Sequence, residues 1–212
     1  MKAPHLLYTL PLALAALAAC SDDDYVYPSL VTEFADIYTN ADSSLTFIEN
    51  DYGNVYVTRT ALSGLDPRYF YRAVCGYEIT DDYAENLPIV ILYTLESVTL
   101  LRDSTAATVA SDPIAVTSLW RAGNYINLHL TPKTQGGNHL WGYRTDSVTP
   151  NSSELQTKRY LSLHHNQAGD PLSYSDDVYA SLYLPSTDIS EGDSIIFTIQ
   201  TFDGQQTWRF VY

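Results

Sequence analysis

Cysteine and basic residues are both scarce in this chain. The 212 residues contain two cysteines, Cys20 and Cys75, and eleven Lys and Arg stand against 25 Asp and Glu. The formal net charge is −14, and no Lys or Arg occurs from Ser21 to Thr58. Such acidity repels nucleic acid and anionic lipid surfaces. We therefore expect no nucleic-acid partner.

The N-terminal apolar stretch is too short for a membrane-spanning helix. It runs from Leu6 to Ala19 and contains Pro11, whereas a spanning helix needs about 20 apolar residues and disfavours proline. After the positive Lys2 it fits the roughly 7–15 apolar residues of a signal-peptide core. Residues 1–19 are therefore predicted to be an export signal.

The sequence Leu-Ala-Ala-Cys ends this stretch at Cys20 and resembles a bacterial lipobox. At that motif the thiol receives a diacylglyceryl group and becomes the first residue of the mature chain. Two or more acyl chains anchor a protein stably, so we expect membrane attachment through Cys20. The alternative is a plain secretory signal with an incidental cysteine.

With Cys20 acylated, Cys75 has no disulfide partner, and it is predicted to be a buried apolar residue rather than a reactive thiol.

An acidic run follows the lipobox, and residues 20–28 are predicted to form a flexible leader. The run consists of Ser21, Asp22, Asp23 and Asp24. It resembles the export signal with which Bacteroidota lipoproteins reach the outer face of the outer membrane. The alternative is a solvated leader with no sorting role.

The remainder reads as short strands and turns, which predicts an all-β fold. Residues 29–103 are predicted as a small OB-like barrel, with strands at 29–39, 44–49, 55–58, 69–79 and 87–101 and a break at Asp81-Asp82. The composition shifts between Arg102 and Pro113, which predicts the connection between domains. Residues 112–212 are predicted as a β-sandwich, with strands at 114–120, 125–130, 139–145, 155–165, 178–184, 194–202 and 207–212. Asp203-Gly204 predicts a tight hairpin.

Several short motifs together carry a family resemblance. They are Asp112-Pro113-Ile114, Leu119-Trp120-Arg121, Gly123-Asn124-Tyr125-Ile126-Asn127-Leu128, Tyr160-Leu161-Ser162-Leu163, Gly169-Asp170-Pro171, Val178-Tyr179-Ala180-Ser181, Gly192-Asp193-Ser194-Ile195 and Trp208-Arg209-Phe210. This pattern resembles the NigD-like lipoproteins of Bacteroidota. The resemblance implies a lipobox, an OB-like domain and a C-terminal β-sandwich, in that order. The family takes its name from a bacteriocin gene cluster, and the resemblance brings no site residues with it.

Four histidines of the mature chain are candidate metal ligands: His129, His139, His164 and His165. Adjacent strand residues point to opposite faces, so His164 and His165 cannot share one ion within a strand. Either could join Asp170, Asp176 and Asp177 in a loop site for a hard cation. We favour a polar hairpin tip and predict no metal and no cofactor.

Catalytic motifs are missing from the sequence. There is no Gly-x-Ser-x-Gly elbow and no phosphate-binding glycine loop before a helix, so we predict that the protein is not an enzyme. The eighteen Tyr, with Trp120, Trp141 and Trp208, could bind a sugar or a protein, or fill the two cores and brace the domain junction; we favour the second interpretation.

These patterns predict a lipid-anchored, non-catalytic protein of the outer membrane, on the cell surface or on the periplasmic face. Its predicted role is to bind a protein partner in bacteriocin production or immunity. A glycan-binding accessory lipoprotein is the alternative. A fimbrial subunit is disfavoured, because pilins matured by Arg- or Lys-specific cleavage need a basic residue near the N-terminus.

Overall fold

The computed structural model describes residues 29–59, 62, 64–104, 111–150 and 156–212. Fifteen β-strands form the regular structure of these residues, which confirms the predicted all-β class. The signal peptide, Cys20 and the acidic leader fall outside the described ranges. Within those ranges, no helix is long and apolar enough to cross a membrane.

The front half is a closed barrel of five strands. They are β1 (Leu30–Thr39), β2 (Leu45–Asn50), β3 (Val55–Thr58), β4 (Phe70–Ala84) and β5 (Leu87–Ser97). Their order is β1-β2-β3-β5-β4, and β4 closes the barrel by pairing with β1. β3 and β5 run parallel, and every other pair is antiparallel. A closed five-stranded barrel confirms the OB-like prediction.

The barrel interior follows from the two-residue period of its strands. Ala35 and Ile37 on β1 share the barrel core with Cys75 and Tyr77 on β4, and all four are essentially inaccessible to solvent. Burial raises the pKa of the Cys75 thiol to about 12. Because the thiolate is the reactive form, Cys75 is an inert core residue, as predicted.

The fourth strand extends past the predicted break at Asp81-Asp82. The register with β5 shifts between Ile79 and Tyr83, so the two aspartates sit in a bulge rather than a turn. The turn lies at Glu85-Asn86, where φ is 51° and 68°. Two positive φ angles are typical of the type I′ turn that closes a two-residue hairpin. The prediction was wrong here because a bulge accommodates extra polar residues without ending a strand.

The second half contains two four-stranded sheets and one short strand pair. One sheet has the order β6-β13-β8-β7, the other has the order β10-β11-β14-β15, and β9 pairs with β12. The strands are β6 (Thr99–Leu101), β7 (Ala115–Ala122), β8 (Tyr125–Thr131), β9 (Lys133–Thr134), β10 (Leu140–Pro150), β11 (Thr157–Asn166), β12 (Tyr174–Ser175), β13 (Val178–Tyr183), β14 (Ser194–Thr201) and β15 (Gly204–Val211). Leu128, Leu182 and Phe197 lie in the core between the sheets. The predicted β-sandwich is confirmed.

The C-terminal hairpin joins β14 to β15 through Phe202 and Asp203, with Gly204 at φ 103°. Along β15, Trp208 and Phe210 pack on the core while Arg209 and Val211 face solvent. Both the tight hairpin and the two faces of the last strand agree with the sequence pattern.

The chain crosses from the barrel to the sandwich at Val98. β6 begins one residue later and pairs in parallel with β13. Val98 packs with Phe34 and Val74 of the barrel and against Trp120 and Tyr179 of the sandwich. This apolar seam holds the two domains together. Of the connection predicted between Arg102 and Pro113, residues 105–110 lie outside the described residues.

Candidate functional site at the domain junction

The centre of the domain junction is the guanidinium of Arg72, whose side chain is fully buried. Ala73 points into the barrel, so the alternation of β4 turns Arg72 outward against the sandwich. Its Nη1 lies 2.9 Å from Asp36 Oδ1, and its Nη2 lies 2.8 Å from Asp51 Oδ2. Asp36 is the direct cross-strand partner of Arg72 on β1, and Asp51 follows β2.

Two sandwich residues also accept hydrogen bonds from this guanidinium. Arg72 Nη2 donates to Asn127 Oδ1 at 3.0 Å, and its Nε donates to Ser181 Oγ at 3.2 Å. Ser181 donates in turn to Asn127 Oδ1 at 2.7 Å, and Asn127 Nδ2 donates to Asp51 Oδ2 at 2.6 Å. The network therefore joins the barrel to the sandwich, and each guanidinium nitrogen has a partner.

Aromatic rings enclose the same guanidinium. Its carbon lies 3.8 Å from the centre of the Tyr125 ring and 5.5 Å from that of Phe34. The Tyr125 hydroxyl donates to Asp36 Oδ2 at 3.0 Å. Phe34 makes edge-to-face contacts with Trp120 and Tyr179, with centroids 5.2 Å and 5.8 Å apart. Tyr125, Trp120 and Tyr179 belong to the sandwich and Phe34 to the barrel, so the rings also bridge the domains.

Burial has the largest effect on the pKa values of the Asp36 and Asp51 carboxyls. It raises the pKa of Asp36 and of Asp51, and the charge of Arg72 offsets only part of that effect. A buried guanidinium stays protonated, so at least one carboxylate must remain ionised to balance it. Raised carboxyl pKa values at a domain junction are typical of functional sites as well as of structural ion networks.

The backbones of the two domains approach each other closely at Gly123. This glycine, in the turn between β7 and β8, has φ 51°. A side-chain carbon placed there would collide with the carbonyl oxygen of Asp51. Glycine is therefore required both by the turn and by the packing of the sandwich on the barrel.

Two clefts flank the Arg72 network, one on each side. The tyrosine cleft has a volume of about 390 Å³ and is lined chiefly by Asp36, Tyr38, Glu49, Phe70, Tyr125 and Tyr183. The tryptophan cleft has a volume of about 330 Å³ and is lined chiefly by Glu33, Phe34, Asp51, Tyr52, Trp120 and Tyr179. Cavities of this size at a domain interface are common ligand sites.

The candidate histidines form a second polar cluster, within the sandwich. His165 Nδ1 lies 3.0 Å from the Asp112 carbonyl oxygen, and His165 Nε2 lies 3.0 Å from His139 Nδ1. His139 Nε2 lies 3.1 Å from Asp170 Oδ2. Trp141 stacks on His165 with centroids 4.3 Å apart. Both histidines and Asp170 are almost wholly buried.

Hydrogen bonds engage every ring nitrogen of this cluster. The Asp112 carbonyl accepts at one end and the Asp170 carboxylate at the other, and His139 and His165 contact each other between them. Hydrogen bonds from Thr134 and Gln135 lower the pKa of Asp170.

The remaining candidates are not part of this cluster. His164 points to the opposite face from His165, as predicted, and its Nδ1 has no hydrogen-bond partner. His129 pairs with Asp177 at 2.8 Å and stacks on Tyr179. No group of three His, Cys, Asp or Glu side chains placed to hold a metal occurs among the described residues. Cys20, Ser21, Asp22, Asp23 and Asp24 lie outside those residues.

The tryptophans and many tyrosines differ in burial. Trp141 and Trp208 pack on the sandwich core, and Trp120 packs in the seam, which agrees with the interpretation that these rings brace the fold. Eight tyrosines, by contrast, are exposed: Tyr38, Tyr52, Tyr69, Tyr83, Tyr93, Tyr160, Tyr174 and Tyr183. These eight rings are therefore accessible to a ligand.

Sequence reasoning missed the Arg72 network. One signal was available, because Asp36 and Arg72 are charged residues with apolar neighbours on both sides in their strands. Charged residues are almost never fully buried unless paired. Their partners on the sandwich, Asn127 and Ser181, lie too far away in the sequence to be assigned from it.

Comparison with known protein families identifies the family of the chain. A model of the NigD-like C-terminal beta sandwich domain matches residues 96–212. The chain belongs to the NigD-like family. The match begins just before β6, the first sandwich strand of this NigD-like protein. No curated protein sequence matches the chain.

Solved structures share the two-domain fold of this NigD-like chain. A NigD-like immunity protein from Bacteroides caccae is 23% identical with a TM-score of 0.65, over 88% of this chain and 99% of that protein. A candidate toxin-related protein from Parabacteroides distasonis is 14% identical with a TM-score of 0.68, over 86% and 93%. A candidate lipoprotein from Bacteroides fragilis is 9% identical with a TM-score of 0.60, over 86% and 98%. At these identities the likeness concerns the fold.

Proposed function

We propose that this NigD-like chain is a non-catalytic, lipid-anchored protein of the outer membrane that binds a protein partner at its domain junction. The observation that carries the proposal is the Arg72 network. It fixes the barrel against the sandwich and holds the two clefts in a constant shape. A pre-organised surface binds with a smaller loss of conformational entropy than a mobile one.

A binding role fits the chemistry of the polar clusters better than catalysis. A general base needs a ring nitrogen free to take a proton from a substrate. In the His139–His165 pair all four ring nitrogens are already hydrogen-bonded. Each guanidinium nitrogen of Arg72 likewise has a hydrogen-bond partner, and the side chain is shielded from solvent. Both clusters therefore serve to position elements of the fold.

Membrane attachment is supported by the lipobox at Cys20 and the acidic run behind it. The Bacteroides fragilis structure with the same fold is described as a candidate lipoprotein. We place the protein on the cell surface, with the periplasmic face as the alternative. The description of the Bacteroides caccae structure as an immunity protein favours a role in self-protection.

In-cell photo-crosslinking tests the binding proposal. A photoreactive amino acid replaces Tyr183 in the tyrosine cleft, and a matched variant carries it at Tyr93, an exposed tyrosine on the barrel. We expect one discrete crosslinked protein from position 183 and none from position 93. Equal crosslinking from both positions, or none from either, would contradict the proposal that the partner binds at the junction.

A further inference from the structure

The two clefts at the junction differ in how their carboxylates are used. In the tryptophan cleft, Glu33 accepts hydrogen bonds from Tyr77 and from Asn50 Nδ2. Asp51 in the same cleft is paired with Arg72 and Asn127. The carboxylates of Glu33 and Asp51 are therefore occupied by contacts within the fold.

The tyrosine cleft contains the carboxylates of Glu49 and Asp36. Glu49 is half-buried and lies directly opposite Asp36 in the pairing of β1 with β2. Asp36 reaches the same cleft with its side chain 16% exposed. Burial, followed by the negative charges of Asp36 and Glu49, raises the pKa of Tyr38. The cleft is therefore partly shielded from solvent, and its two carboxylates give it a negative electrostatic potential.

The rings of the tyrosine cleft also remain accessible. Tyr183 is 49% exposed and Tyr38 is 37% exposed. Tyr183 packs against Tyr125 with centroids 5.2 Å apart, and Tyr38 packs against Phe70 at 5.6 Å. In the tryptophan cleft, Phe34 is 6% exposed and makes edge-to-face contacts with Trp120 and Tyr179, while Tyr52 is 76% exposed.

Among the described residues, the lining of the tyrosine cleft includes no basic side chain. Arg72, which contacts Asp36 and Tyr125 of that lining, is sealed from solvent and balanced by Asp36 and Asp51. Aromatic faces and carboxylates together attract a cation, and a planar guanidinium satisfies both because it stacks on rings and pairs with carboxylates. The junction already contains that combination, in the stacking of Arg72 on Tyr125 beside Asp36.

We infer that the tyrosine cleft binds an arginine side chain of the partner protein, stacked on Tyr38 or Tyr183 and paired with Glu49. The inference rests on the proposed function, because it names the chemistry that the partner presents to the junction. A net charge of −14 on the chain would favour the approach of such a basic partner.

The test is a titration of the purified full chain with Nα-acetyl-arginine methylamide, followed by NMR. The matched ligand is Nα-acetyl-citrulline methylamide, which keeps the shape of the arginine side chain and removes its charge. We expect saturable shifts at the cleft residues with the arginine compound, weaker at high salt, and none with citrulline. Glu49→Gln and Tyr183→Leu should each weaken binding about three- to tenfold.

Matched control variants are Glu78→Gln and Tyr93→Leu, which change a hydrogen-bonded Glu–Tyr pair elsewhere on the barrel. They should leave binding unchanged. No saturation with arginine, equal binding of citrulline, or equal losses in the control variants would overturn the inference. Crosslinking of a partner at position 183 without arginine binding would overturn the arginine inference alone and leave the proposed function standing.

Discussion

Arg72 on barrel strand β4 donates a 3.0 Å hydrogen bond to Asn127 on sandwich strand β8, in an environment closed to solvent. The two residues belong to different domains, and the charge of Arg72 is balanced by Asp36 and Asp51 of the barrel. The relative position of the two domains is therefore specified by polar contacts as well as by the apolar seam.

Replacing Arg72 with methionine should destabilise the protein strongly. The change leaves Asp36 and Asp51 buried without a cation, and breaking a buried pair costs about 3–5 kcal/mol. Since burial already raises the pKa of both carboxyls, protonation can relieve them in acid, and the loss should be smaller at pH 5 than at pH 8. Urea unfolding at both pH values measures it.

Arg59→Met is the matched control, because Arg59 pairs with Asp82 at 3.0 Å with both side chains more than 60% exposed. An exposed pair contributes about 0–1 kcal/mol. Similar losses in the two variants would show that the Arg72 network does not stabilise the junction.

Gly123→Ala should destabilise the contact between the domains. At φ 51° an L residue is strained by about 1–2 kcal/mol, and the new methyl group would in addition meet the Asp51 carbonyl. Gly53→Ala is the control, because Gly53 has φ 79° but open space around it. We expect thermal unfolding to show the larger loss at position 123. Equal losses of stability in the two variants would mean that the effect comes from backbone strain in the turn and not from the contact with Asp51.

His165 should be neutral at pH 7, with its proton on Nδ1. Burial lowers the pKa of this residue, and its Nδ1 lies 3.0 Å from the Asp112 carbonyl oxygen, which can only accept a hydrogen bond. Long-range ¹H–¹⁵N NMR reads the protonation of each ring nitrogen. We expect a protonated Nδ1 and an unprotonated Nε2 on His165. A protonated Nε2 on this ring would contradict the assignment.

Acid should weaken the fold through His165. Burial lowers the pKa of this residue below its ordinary 6.5. His139 and Asp112 contact the ring, Trp141 stacks on it, and His164, the preceding residue on β11, adds a weaker electrostatic effect. Below pH 6.5 the unfolded chain binds a proton that folded His165 resists. Its contribution to stability is therefore complete above pH 6.5 and is lost as the pH falls.

The comparison of wild type with His165→Gln isolates this effect. Between pH 7 and pH 5 the wild type should lose up to about 1.4 kcal/mol per pH unit more than the variant. His129→Gln serves as the control, since its ring is exposed to solvent by 22%. Parallel stability curves for wild type and His165→Gln would contradict the prediction.

Local patterns predicted most of the fold, because strand alternation and turn residues are encoded by near neighbours. The 55–58 strand and the hairpin at Asp203-Gly204 are examples. The sequence did not show that Arg72 meets Ser181, 109 residues away. Nor did it show that His139 stands between His165 and Asp170. Such contacts depend on how sheets pack, and no local period carries that information.

Mass spectrometry of the mature N-terminus from outer-membrane fractions, combined with protease shaving of intact cells, tests the central claim of an anchored surface protein most directly. We predict an N-terminal Cys20 that carries acyl chains, on a protein that protease removes from the cell surface. Acylated Cys20 on a protein that resists shaving would place it on the periplasmic face. An unmodified Cys20, or a chain that begins elsewhere, would contradict the lipid anchor.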